Sequence, residues 1–208
     1  MKHCQNSASL NEIHDFRDSH VSFDVVYRKS DMKLPEDDTH ILEHLVGSRL
    51  LTYGSAKPGV DLGFSIEEVF LEFEDSLIAV REEYVSANVC GEIGEYLALR
   101  VLLGYDQRRE ADIAGGVYYF FKGETLRNVT VHRARLIRNR DSQVSSFEHD
   151  ALLEFEFESG SLWILKDEMS TPFIQLFTSK SGQSPVLPNP ADGWPNTLTD
   201  RWTGEWIK

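Results

Sequence analysis

Apolar and polar side chains alternate most regularly in two stretches of the chain. In the second, Leu153, Phe155 and Phe157 alternate with Glu154, Glu156 and Glu158, the period of two that marks a half-buried strand. Ser159-Gly160 follows as a two-residue turn, since glycine tolerates the positive φ that hairpin turns need. Leu162-Trp163-Ile164-Leu165 then returns as a strand apolar on both faces. Residues 69–83 repeat the pattern with a tighter turn near Asp75-Ser76. With a one-residue gap opposite Gly160, Glu72, Phe73, Glu74, Ser76, Leu77 and Glu83 align with Glu156, Phe157, Glu158, Ser161, Leu162 and Glu168. Leu45-Val46-Gly47 introduces the first copy and Leu102-Leu103-Gly104 the second. The expectation is a pair of pseudo-repeated hairpin units, 45–83 and 102–168; the plain alternative is that unrelated strands share this alternation.

Other segments fill in around these ribbons. Ser9-Leu10-Asn11-Glu12 reads as a capping box opening a short helix, and residues 21–27 alternate as a strand. Pro35 followed by Glu36, Asp37 and Asp38 is a helix start, with Ile41, Leu42, Leu45 and Val46 as its apolar stripe and Gly47 as its stop. The pattern predicts a helix over 36–46, a strand over 50–53, and a second helix over 91–104 ended by Gly104. Strands are predicted over 117–121, 126–137 and 173–177. Residues 184–190, with three prolines, should run extended. The fold class is therefore α+β, a mostly antiparallel sheet with two or three short helices. Residues 1–180 form one β-rich domain. Residues 181–208 form a Pro- and Trp-containing tail that packs on the body, because Trp194, Trp202 and Trp206 carry too much apolar area for a solvated tail.

Composition narrows the function more than the fold. The 208 residues carry a net charge of -13. That balance opposes binding to nucleic acid or an anionic membrane, which needs clustered Lys and Arg, and favours encounter with a basic protein. Nothing at the N-terminus reads as a signal peptide, and no apolar run is long enough to cross a bilayer. Cys4 and Cys90 have neither metal spacing nor a disulfide framework. A reducing, cytoplasmic location is the expectation; self-association is compatible with it, and no cofactor is implied.

Three groups of residues could carry chemistry. His40-Ile41-Leu42-Glu43-His44 is an H-x-x-E-H sequence; on a helix the two histidines share a face, and Glu43 sits beside them as a base. These five residues resemble the zinc motif of insulinase-type peptidases and the metal helix of S-ribosylhomocysteine lyase. The resemblance implies His40 and His44 as ligands and Glu43 as the base of a metal-dependent hydrolase; Glu92 or Glu95 on the second predicted helix, or Cys90, could formally supply a third ligand, but no matching motif surrounds them. Arg133 and Arg135, in a run of cations from Arg127 to Arg140 free of acids, are candidates for binding an anion. The structural alternative pairs them across a ladder with Glu154, Glu156 and Glu158. The acidic rows Glu72, Glu74, Glu154, Glu156 and Glu158, with Trp202 and Trp206, are candidates for a partner surface. Phosphate-binding loops and a nucleophile elbow are missing from the sequence.

The paired pattern of Leu-Val-Gly, Leu-Glu-Phe and Ser-Leu-Ile-Ala-Val resembles small bacterial proteins built from repeated β-hairpins, some of which are similar to immunity proteins of polymorphic toxin systems. That resemblance implies a binding protein rather than an enzyme, one whose carboxylates stand in for the phosphates of a basic partner's substrate. The expectation is an acidic protein-binding module; the alternative is the metal-dependent hydrolase built on the 40–44 helix.

Overall fold

A computed structural model describes residues 32–55, 68–104, 117–118, 120–166, 174–192 and 200–207. The expected capping-box helix, the strand over 21–27, Cys4 and Trp194 lie outside the described residues. Helix α1 spans Glu36–Leu45, and ten strands follow: β1 Leu50–Gly54, β2 Glu68–Phe73, β3 Leu77–Val89, β4 Glu92–Leu103, β5 Val117–Tyr118, β6 Asn128–Arg140, β7 Gln143–Glu156, β8 Gly160–Lys166, β9 Ile174–Lys180 and β10 Asp200–Ile207. They form two five-stranded antiparallel sheets, ordered β4-β3-β2-β1-β5 and β10-β6-β7-β8-β9. Each sheet is a four-strand meander whose fifth strand returns to pair with its first. The fold is mostly antiparallel β with one helix among the described residues, broadly the expected α+β class.

Both alternating stretches are hairpins. Glu72 lies opposite Leu77 and Glu156 opposite Ser161. Each loop closes the same way, Phe73 N–H donating to Ser76 O and Phe157 N–H to Gly160 O, both at 2.7 Å. The central residues are therefore Glu74-Asp75 and Glu158-Ser159, and the two ribbons align without the gap the sequence suggested. Gly160 is not a turn residue needing positive φ. It opens β8, where the Ser179 carbonyl of β9 would stand 1.8 Å from an added Cβ. Gly160→Ala is expected to destabilise the protein by about 1–3 kcal/mol through overpacking against backbone. A chemical-denaturation midpoint unchanged from wild type would show that β9 can retreat at no cost.

The apolar rows meet in one core. Val69, Leu71 and Phe73 of β2, Ile78 and Val80 of β3, and Leu99 and Val101 of β4 pack with Leu153 and Phe155 of β7, Phe157, and Leu162 and Ile164 of β8. Leu42 and Leu45 of α1 close it. Each such side chain contributes roughly 1.5–3 kcal/mol by leaving water. All of β8 is buried, because its other row, Trp163 and Leu165, is covered too. Leu152, Phe177, Leu187 and Trp206 pack around that row.

Three expectations are corrected. Residues 92–103 are strand β4, not a second helix. Their apolar run fits either period, and twelve residue pairs with β3 decide it. The β3–β4 turn carries positive φ at Cys90 and Gly91 (52° and 88°), as does the β6–β7 turn at Asp141 and Ser142 (49° and 66°); a two-residue loop with both φ positive matches the twist of a hairpin. Leu102-Leu103-Gly104 is the end of β4 and its exit rather than an introduction to the second ribbon. The segment that corresponds to Gly47–Leu50 is Gly123–Leu126. Gly47 N–H donates to Leu126 O and Gly123 N–H to Leu50 O, while Leu50 N–H donates to Glu124 O and Leu126 N–H to Ser48 O. These four bonds interchange when the two segments are exchanged, and Gly47 and Gly123 both have positive φ, 94° and 77°. Finally, the tail contributes a strand: β10 pairs with β6 from Asp200–Arg140 to Ile207–Arg133.

Candidate functional site

The H-x-x-E-H residues lie on the exposed side of α1, which Pro35 and three first-turn acids start and whose buried residues are Asp38, Leu42 and Leu45. His40 Nδ1 is 3.1 Å from Glu43 Oε2, and His44 Nδ1 donates to His40 O at 2.7 Å. The hydrogen bond to Glu43 raises the His40 pKa above its ordinary value. Glu43 is thereby engaged with a histidine of its own helix. Among the described residues no three His, Cys, Asp or Glu side chains gather as a metal-holding group. Glu92 lies eight residues along β4 from Arg100, the residue that meets α1, about 26 Å at strand rise, and Cys90 lies beyond it in the hairpin turn. Neither can complete a site with His40 and His44.

Beside this face runs a groove of about 540 Å³ lined by Asp37, His40, Ile41, His44, Leu45, Ser48, Asp75, Ser76 and Leu103. Its position follows from the α1–β4 lock. Asp38, 2 % exposed, accepts from Arg100 Nε at 2.8 Å and from Val101 N–H at 2.8 Å. Arg100 also reaches Glu83 at 3.0 Å. That lock lays the helix along the sheet edge, leaving Leu103 exposed at the end of β4.

The cationic run is consumed by the protein itself. Arg133 Nε donates to Asp150 at 2.8 Å and Arg135 to Glu148 at 2.8 Å and Glu205 at 3.0 Å. The expected partners Glu154, Glu156 and Glu158 are wrong for these two arginines. β7 begins ten residues earlier than the alternation suggested, and a register shift beside Arg133 brings Asp150 and Glu148 opposite them. Arg138 is the most enclosed, 8 % exposed. It donates to Asp200 of β10 at 2.9 Å, pairs with Glu92 of β4 at 3.0 Å, and lies 5.1 Å from the centre of the Trp202 ring. Arg140 also pairs with Glu92. These bonds hold the Asp200 and Glu92 carboxyls below their ordinary pKa values, and Arg135 does the same for Glu148.

The acidic rows divide in the same way. Glu74 holds Arg49 and Glu158 holds Arg127. Thr52 donates to Glu72 at 3.2 Å. Glu154 sits between His132 Nε2 at 3.0 Å and the Ser161 hydroxyl at 2.9 Å. This trio includes a serine and a histidine, but the carboxylate lies between them, so the imidazole does not take the serine proton. Glu154, Glu156, Ser161, Trp163 and Lys180 line a second, smaller recess of about 260 Å³. Trp202 is 7 % exposed, and Trp206 donates its indole N–H to Pro188 O at 3.0 Å. Both tryptophans read as partner-facing candidates are turned into the body.

His149, which the sequence did not single out, is buried with neither ring nitrogen bonded among the described residues, stacked on Phe147. Burial, then the charge of Lys166, pushes its pKa well below the ordinary value of 6.5. The imidazole is neutral in the fold and takes a proton more readily in the unfolded chain. Its contribution is therefore complete above about pH 6.5 and lost as pH falls below it. The depressed carboxylates Asp200, Glu92 and Glu148 add stability present above their unfolded pKa values and lost as pH falls through the folded ones. Wild type should weaken in two stages, the first starting near pH 6.5. His149→Phe should abolish that first stage, with denaturation midpoints measured across pH as the check. Parallel pH curves for the two proteins would exclude His149 as the cause.

Comparison of the chain with known protein families, with curated proteins and with solved structures finds no match in any of the three. No helix among the described residues is long and apolar enough to cross a membrane.

Proposed function

We propose that the chain is a non-enzymatic, acidic protein-binding module that covers a basic partner, acting as an inhibitor or immunity protein toward a nuclease-like protein. The observation that carries this reading is how the cations are spent. Arg49, Arg81, Arg100, Arg127, Arg133, Arg135, Arg138 and Arg140 each hold a carboxylate of the same chain. With those cations neutralised internally, carboxylates such as Asp37, Asp75, Glu95, Asp141 and Glu156 face solvent, in a chain whose net charge is -13. Such a surface speeds encounter with a basic protein and competes for the sites that bind phosphates. The test is to isolate a basic protein that associates with the chain in its native host and to titrate the purified pair calorimetrically at rising salt. Stoichiometric binding that weakens steeply with salt is expected. The lack of any such partner, or binding indifferent to salt, would overturn the reading.

We also infer that the two sheets descend from one duplicated unit. What supports this is the shared strand order, the matching hairpin loops and the interchange of the four bonds between Gly47–Leu50 and Gly123–Leu126. Duplication explains why both acidic hairpin turns lie beside that cross-bridge. Arg49, in the bridge, bonds Glu74, and Glu124, in the other half of it, accepts from Ser159 at 3.0 Å.

A further inference from the structure

We propose that the groove between α1, the β2–β3 turn and the end of β4 is where a basic segment of the partner protein docks, seating a Lys or Arg beside an apolar side chain. This rests on the reading of the chain as a module for basic partners and names the surface that does the work. The groove's wall is apolar. Ile41 and Leu45 line it, and Leu103, 64 % exposed, stands at its edge. Its permanent charge has one sign; His40 and His44 also line it, and the imidazole of His40 is held by Glu43. Asp37 and Asp75 line it with no lysine or arginine partner among the described residues, and no lysine or arginine lines it with them.

That combination separates the groove from the other acidic places. The turn carboxylates Glu74 and Glu158 already hold arginines, and Asp38 and Glu83 share Arg100. The smaller recess is lined by a lysine, Lys180, as well as by Glu156, and its Glu154 is held by His132 and Ser161. Only in the larger groove, among the described residues that line either hollow, do unpaired carboxylates flank open apolar surface. A Lys or Arg matches both halves of this arrangement, because its methylene stem covers apolar surface while its charged head stays at a polar rim. The volume, about 540 Å³, falls in the range of roughly 300–1,000 Å³ that holds ligands of a few side chains. A second copy of this acidic chain is a poor occupant, since it would bring like charge to the rim.

The probe is a blocked synthetic peptide alternating Leu with Lys and Arg, with a counterpart carrying Glu at every basic position. Both are titrated into the full chain by fluorescence anisotropy. Asp37, Asp75 and Leu103 are exposed, so their variants should keep the fold, which a thermal melt verifies. The basic peptide is expected to bind and the acidic one not to. The double variant Asp37→Asn with Asp75→Asn should weaken binding about tenfold, Leu103→Ser should weaken it several-fold, and Glu156→Gln should leave it unchanged. Basic-peptide binding that survives the double variant but falls with Glu156→Gln would overturn the groove while leaving the module reading intact. No binding of the basic peptide, with a salt-sensitive basic partner found independently, would do the same. No basic peptide and no basic partner would overturn both. Concentration-dependent dimerisation lost in Leu103→Ser would assign the groove to a second copy and overturn the proposal.

Discussion

Asp38→Ala is expected to lower the unfolding free energy by about 3–5 kcal/mol, the cost typical of breaking a buried ion pair from one side. The carboxylate satisfies three donors at once: Arg100 Nε, Arg100 Nη2 and the Val101 N–H. Without it the Arg100 side chain, 21 % exposed, keeps only Glu83. The Val101 N–H, which points out of the sheet edge toward the helix, loses its acceptor beneath α1. Both losses leave desolvated donors, and that penalty exceeds the net worth of the bonds themselves. Asp38→Asn retains an oxygen that can accept from Val101 but not the charge that pairs with Arg100, so it should fall between wild type and alanine. Urea denaturation measures both. An alanine variant within about 1 kcal/mol of wild type would mean that the helix is not locked to β4 through this residue. Because α1 forms one wall of the groove, the alanine variant should also weaken basic-peptide binding, and the asparagine variant should do so less.

Arg138→Ala should cost about 2–4 kcal/mol and should loosen one element more than the rest. Arg138 joins three strands that are remote in sequence: its own β6, β10 through Asp200, and the far end of the β3–β4 hairpin through Glu92. Its guanidinium also covers the Trp202 ring, which packs with Ala87, Val89 and Leu136. Truncation leaves two carboxylates facing each other without their shared cation and uncovers the indole. Lysine keeps the charge but cannot present a planar fork to two carboxylates, so Arg138→Lys should recover no more than part of the loss. Amide hydrogen exchange resolves the location. Residues 200–207 and the tip around Cys90 should lose protection first, while β2 and β7 change little. Uniform loss of protection across both sheets, or a cost below about 0.5 kcal/mol, would contradict the role given to Arg138.

The candidate site was legible in the sequence only as separate pieces. The helix over 36–45 could be read because its start, stripe and stop are local signals, and His40 and His44 share one face of it as helical spacing requires, a face the structure leaves exposed. Asp75 belonged to a predicted turn and Leu103 to a predicted helix, and nothing local relates either to Asp37. They share one groove because β4 is a strand whose last residues end beside the β2–β3 turn. The partners of the arginines were likewise hidden. Alternation shows which side of a strand a charge is on, but the residue opposite is set by register. The shift beside Arg133 put Asp150 and Glu148 where counting from Glu154 had not. His149 carried no signal at all, since a histidine between Glu148 and Asp150 reads as surface until the strands around it are assembled.

Short-range periodicity by itself determined the two acidic ribbons, helix α1 and the apolar rows that form the core, because hydrophobic patterning is a property of neighbouring residues and survives without knowledge of the fold. Tertiary structure decided the rest: that 92–103 is a strand, that the tail returns as β10, that eight of the described arginines pair within the chain, and that one hollow keeps carboxylates without a lysine or arginine partner over open apolar surface. Each of those outcomes depends on groups far apart in sequence competing for the same hydrogen bonds and the same shelter from water. That competition is resolved only when both sheets are closed against each other.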